Sequence, residues 1–349
     1  HNRMEHLNMK KQLHLLSILN GAVKMTKRDL YKIILFLMIP VPVLFLGNYI
    51  IDKGLQKSKS QYFDVWNEIR SGGINADVLV MGSSRAWVHI SPAILDSSLH
   101  LSSYNLGLDN WSFLMQHCRL KVFLEHNPKP RLIVHSLDYL MFEKNKELYG
   151  DIQFLPYMED ETIYEATEGY MGSFNMLQRF VPMYKYRNNG DLMIEGIASF
   201  LGFQVNKSHK YKGYEGMVKN WDSTFADFVH ENPKGYKVQL DSVIIKDFER
   251  YLQYCNDNKI PVILTYTPEY YRAQQITTNR QEEFALYHYF AKKYGCVLLD
   301  YSQDSLCYNT DYFYNSQHLN KEGSEIFSRK LARDLQPYLT NRANIALRK

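Results

Sequence analysis

Two serines and a histidine carry the first chemical signal in this chain. Residues 78–87, VLVMGSSRAW, run from an apolar stretch into Gly82, Ser83, Ser84 and Arg85. Residues 312–323, YFYNSQHLNKEG, set His318 in a polar loop just before a closing helical pattern. A serine hydroxyl becomes a useful nucleophile when a base takes its proton and nearby donors stabilise the oxyanion that follows. Imidazole is the commonest such base. Each residue also has a plain structural reading. Serine is a preferred helix N-cap, and a histidine before a helix serves equally well to bond its own loop. His89 and His135 are read as structural.

The elements that must position these groups follow a regular rhythm. ADVLVMG (76–82), SSYNLGL (102–108), KPRLIVHSLD (129–138), KIPVILTYTP (259–268) and CVLLDY (296–301) are short apolar runs that predict buried strands. Between them, residues 61–70, 112–125, 241–255, 281–295 and 320–339 carry apolar positions at helical spacing. Strands alternating with helices predict an α/β fold, a doubly wound parallel sheet in three layers of flavodoxin-like type. In such sheets, ligands bind beyond the carboxyl ends of the strands. Gly82-Ser83-Ser84 follows the first strand in that place.

The two blocks together resemble the SGNH/GDSL hydrolase superfamily, over roughly 75–142 and 240–338. The resemblance implies acyl transfer, with Ser84 as nucleophile and His318 as base. Ser83 takes the place of the first block's aspartate. Gly107, in NLGLDN, fits the glycine whose N–H, with that of Ser84, forms an oxyanion hole. Two positions depart from the family. Asn315 stands where an aspartate usually orients the histidine, which leaves Asp311 as another candidate for that role. The third block reads HSLDYLMF, so Asp138 or His135 lies near the place of the oxyanion-hole asparagine, and Asn110 would replace it if its loop turns inward. Arg85, where the family has an apolar residue, is expected either to hold an anionic or hydroxyl-rich substrate or to be solvated.

Ile33 to Ile51 is a stretch of 19 residues without a charge, close to the length that spans a bilayer as a helix. It reads as a transmembrane anchor rather than a cleaved signal, because the apolar part is too long and no small-residue cleavage site follows. The expected organisation is a cytoplasmic segment 1–32, the anchor 33–51, a linker and helix 52–75, the SGNH-like domain in two parts 76–142 and 240–339, an insertion 143–239 between them, and a tail 340–349. Single-pass topology places the large domain outside the cytoplasm, on the inner membrane. Anchor plus GSSR block resembles the envelope acyl-transfer proteins of teichoic-acid D-alanylation and alginate O-acetylation. That resemblance implies a membrane-bound O-acyltransferase as partner and an envelope polysaccharide or glycolipid as substrate. Losing two family residues also leaves room for a non-catalytic scaffold on the same fold.

A formal charge of +4 gives no reason to expect nucleic acid. The four cysteines form no C-x-x-C pair, and neither a metal nor a cofactor is expected. The insertion is rich in tyrosine, read either as core or as a stacking platform for sugar rings.

Overall fold

The computed structural model describes residues 26–340 apart from Trp111. The first 25 residues and the tail beyond 340, both assigned above, lie outside the described residues. The chain divides into two units between Tyr49 and Ile50.

In the first unit a helix, Lys27–Leu37, opens on a Thr26–Asp29 capping box, and a second helix begins at Pro40. A membrane-spanning helix containing Pro40 and Pro42 was expected over 33–51. The chain instead turns at Met38 and Ile39. Pro40 lacks an N–H and its ring clashes with the carbonyl four residues back, so it starts a helix more easily than it continues one. The stretch Lys27–Leu55 contains 18 successive residues of mean hydropathy 2.3 and is long and apolar enough to cross a membrane.

The second unit is built on a five-stranded sheet: β1 (Val78–Gly82), β2 (Ser103–Asn105), β3 (Leu132–Leu137), β4 (Val262–Tyr266) and β5 (Val297–Asp300). The order is β2-β1-β3-β4-β5 and every neighbour is parallel. This is the expected α/β fold. Successive residues of β1 alternate between two apolar clusters: Val78 and Val80 face one, Leu79 and Met81 the other. Both faces are therefore covered, which is why these strands read as continuous apolar runs. Helices Phe113–His126, Ser242–Asp257 and Arg280–Tyr294 contribute Phe123, Phe248 and Phe290 to one side. Helices Ser84–His89, Pro92–Leu99 and Lys321–Thr340 contribute Ala86, Leu95 and Leu331 to the other. Each such fully buried aliphatic or aromatic side chain contributes roughly 1.5–3 kcal/mol.

β2 is shorter than its apolar run because the chain leaves the regular ladder at Leu106. It stays bonded to β1, with Leu106 N–H on Val80 O at 2.8 Å and Leu108 N–H on Gly82 O at 3.0 Å. That second bond ties the loop after β2 to the turn that carries the serines. The tyrosines between 143 and 236 mostly pack inward: Tyr157, Tyr164, Tyr170, Tyr186 and Tyr214 are buried. The stacking platform is thus largely replaced by core. Cys118, Cys255, Cys296 and Cys307 are free thiols.

Candidate functional site

Of the two serines, Ser83 caps a helix and Ser84 meets His318. Ser83 is the N-cap of the helix Ser84–His89, and its Oγ accepts the Arg85 N–H at 3.2 Å. Its hydroxyl donates to Asp138 Oδ2 at 2.6 Å. Ser84, one residue on, is half-buried and its Oγ lies 2.8 Å from His318 Nε2, across 234 residues of sequence. Its amide is at the start of the helix, among the N–H groups an α-helix leaves without an internal partner.

Asn315 sets the protonation pattern of His318. Its Oδ1 accepts the backbone N–H groups of Gln317 and His318, each at 3.0 Å. Only the amide oxygen can accept from both, so the third group on it, His318 Nδ1 at 3.0 Å, must carry a hydrogen. Nε2 is then left with its lone pair toward Ser84. Burial pulls His318 down to about 4; Arg85 acts in the same direction, while Asp138 and Asp222 oppose it. The imidazole is therefore neutral at pH 7. The Tyr314 ring stacks on it, with centroids 5.3 Å apart and planes within 7°.

Asp311 does not fill the orienting role. Its side chain is exposed on the turn Thr310–Tyr312, and its carbonyl accepts from Asn320. Gly107 does not offer a free amide either. Its N–H donates to Asn105 Oδ1 at 2.8 Å, and its carbonyl accepts Arg119 at 3.1 Å. Glycine is required there for close packing: a Cβ would stand 2.3 Å from Trp87 N. Asn110, in the same loop with φ 83°, has its side-chain oxygen taken by Asn145.

Arg85 is neither solvated nor turned toward substrate. It is fully buried, and the guanidinium donates to Glu269 at 3.0 Å, to Thr267 Oγ1 at 3.2 Å and to the Thr267 carbonyl, over the Tyr266 ring. A planar fork of five donors suits this mixture of carboxylate, hydroxyl and carbonyl. Asp138 is also committed inward. Besides Ser83 it accepts the Leu140 N–H at 2.9 Å, so both carboxylate oxygens are occupied by protein donors. It acts on the site through its charge rather than by touching a ligand.

His89, read as structural from sequence, proves to be the neighbour that fixes His318 from behind. Its Nε2 accepts the N–H of Leu319 at 2.9 Å, which places the hydrogen on Nδ1, 2.9 Å from Thr267 Oγ1. Its ring meets that of His318 edge-on at 6.1 Å. Burial, reinforced by Arg85, holds it well below the ordinary histidine range, so it stays neutral. Thr267 and Glu269 escaped the sequence reading altogether, because they lie in an irregular loop after β4 and carry no motif. Their neighbour Arg85, a cation in a short and mostly buried helix, was the available signal.

A cavity of about 420 Å³ adjoins this region, walled by Trp87, Gly107, Leu108, Asp109, Arg119 and Tyr149. Trp87 is three residues after Ser84, a spacing that puts the two on one helix face.

The fold and site together define an α/β protein with a serine–histidine pair at the carboxyl edge of a parallel sheet. No family model matches the chain, and no curated protein matches its sequence. Among solved structures it is similar to a protein described as lipolytic and of the G-D-S-L family from Desulfitobacterium hafniense, at 14% identity, TM-score 0.35, with 74% of this chain and 99% of that one covered. It is similar also to a GDSL-like lipase from Bacteroides thetaiotaomicron, at 14% identity, TM-score 0.33, with 78% and 99% covered.

Proposed function

We propose that the protein is a membrane-anchored serine esterase or O-acyltransferase of SGNH type, using Ser84 and His318. The observation that carries this reading is the 2.8 Å contact between Ser84 Oγ and a His318 Nε2 whose tautomer is fixed from the other side of the ring. Ser84 Oγ attacks the acyl carbonyl as His318 Nε2 takes its proton, and the carbonyl electrons move onto oxygen. The Ser84 N–H is placed to bind that oxyanion. Collapse of the intermediate breaks the bond to the leaving alkoxide, which receives the proton from His318. Water or a sugar hydroxyl then attacks the acyl-serine by the same route, giving hydrolysis or transfer. Asn315 orients the imidazole but adds no full charge opposite the imidazolium; the carboxylates of Asp138 and Asp222 supply part of it from further away.

The apolar segment supports anchorage in the cytoplasmic membrane with the large domain outside. The GSSR block that follows that segment in sequence supports an envelope polysaccharide or glycolipid as substrate and a membrane-bound O-acyltransferase as acyl donor. A second reading, a scaffold that has lost catalysis, is favoured by Asn315 and by the occupied Gly107 amide. A fluorophosphonate probe separates the two. Labelling of the folded protein that disappears in Ser84→Ala supports the enzyme, and absence of labelling in the folded wild type rejects it.

A further inference from the structure

The helix Gly190–Phe200 and the residue after it turn an apolar stripe outward. A helix on a water-soluble protein buries its apolar stripe and exposes its polar one. Here Ile194, Ile197 and Leu201, at positions that share a stripe, point outward with Ile194 63% and Leu201 65% exposed. Leu192, Glu195, Gly196 and Ser199 are the buried residues. Glu195 spends its carboxylate on Ser58 Oγ and on Asn206 at 3.1 Å. The chain continues outward through Phe203, 68% exposed, and Val205. A neighbouring short helix, Met176–Phe180, adds Leu177 and Phe180 to the exposed apolar surface.

This face is fastened to the last turns of the apolar helix Pro40–Leu55, which belong to the second unit from Ile50 onward. A Cβ on Gly54 would fall 1.7 Å from Gly196 O, and one on Gly196 would fall 2.9 Å from Ile51 O, so the two backbones touch and only glycine fits. Asp52, just beyond, takes Lys185 Nζ at 2.9 Å and the Tyr186 hydroxyl from the turn that joins the two exposed helices. Lys53, Lys57 and Lys59 stand exposed along the same segment, and Lys57 lies 5.2 Å from the Phe200 ring.

We propose that this face is a lipid-docking surface that lies in the headgroup–acyl boundary where the anchor enters the domain. An exposed apolar stripe above a mostly polar buried face suits a non-aqueous solvent, and flanking lysines suit anionic headgroups. The inference rests on the anchor reading above.

The test uses the full chain, with Cys296→Ala to remove the half-buried thiol, in vesicles of phosphatidylcholine and phosphatidylglycerol. A nitroxide is placed at Leu201→Cys, and a control at Tyr289→Cys, which is exposed on the helix Arg280–Tyr294. Collision with dissolved oxygen and with a water-soluble nickel chelate is then compared. Docking predicts that oxygen outcompetes the chelate at 201 and that the order reverses at 289. Vesicle-bound protein with both labels favouring the chelate overturns the docking surface and leaves the anchor intact. Protein that does not float with the vesicles overturns both. A label at 201 shielded from both reagents marks a protein partner or a second copy, and overturns the lipid assignment.

Discussion

Replacing Asn315 by aspartate adds one oxygen and one charge at the most sensitive point of the site. Oδ1 of residue 315 lies 3.0 Å from His318 Nδ1. A carboxylate there would sit with its charge about 4 Å from that of an imidazolium, worth about 4 kcal/mol at an effective dielectric of about 20. Residues 315 and 318 are both partly exposed, and halving the figure for solvent leaves about 2 kcal/mol, or about 1.5 pKa units. Three N–H groups already converge on Oδ1, which would keep the new acid ionised. His318, now near 4, should rise to between 5 and 6, taking about 1.5 units from the estimate above. The base works only when neutral, so activity is lost as pH falls through its pKa. The acid limb of kcat/KM should therefore move up by about 1.5 units. On the alkaline plateau the better-stabilised imidazolium should raise the rate by up to about 30-fold. The assay is a pH–rate profile on a chromogenic acetyl ester for both proteins. An unmoved acid limb with a folded variant would refute the assigned His318–315 geometry.

Three other perturbations test the surroundings. His89→Phe keeps the ring but strands the Leu319 N–H, at a cost of roughly 1–3 kcal/mol in stability; kcat should fall while KM holds, and an unchanged kcat would remove His89 from its positioning role. Glu269→Gln leaves the buried Arg85 without its carboxylate, and thermal unfolding should show a loss of about 3–5 kcal/mol with no change in discrimination between neutral and anionic esters. Glu283 is buried without a hydrogen-bond partner and is pushed up to about 9 by burial, with Asp138 and Glu269 adding to the effect. It holds its proton when folded and releases it when unfolded, so stability should decline with rising pH between its unfolded value and about 9, by up to about 1.4 kcal/mol per unit. Denaturant titrations of Glu283→Gln at several pH values should show that slope reduced, and a parallel slope would contradict it.

The sheet was legible because its strands are buried on both faces and so appear as apolar runs with breakers between them. VLVMG is the clearest case: each alternate residue enters a different cluster, yet all are apolar. The meeting of Ser84 with His318 could be anticipated from two short blocks at opposite ends of the pattern. What sequence did not reveal is direction. Arg85 follows Ser84 on a helix whose next turn decides which side chain faces solvent, and its buried partners Thr267 and Glu269 come from a loop without periodicity. Gly107 and Asp138 stand in plausible places, but their polar groups are consumed by Asn105, Ser83 and Leu140, contacts that depend on ångström-level loop placement. The apolar stripe at 194, 197 and 201 has the period of a core helix, and periodicity alone cannot distinguish a face turned to the core from one turned outward.

The distance in sequence between Ser84 and His318 also bears on timing. The two are separated by 234 residues, so at ordinary synthesis rates the serine exists for roughly 10 to 50 s before its base is made. Until the loop at 315–318 closes on the sheet, Ser84 is an ordinary alcohol. If Ser84 is the nucleophile proposed above, a growing or clipped chain carries no premature acyl-transfer activity while it passes other ester-bearing molecules. On that reading, phosphonate reactivity at Ser84 should report completed folding, not merely the presence of the serine.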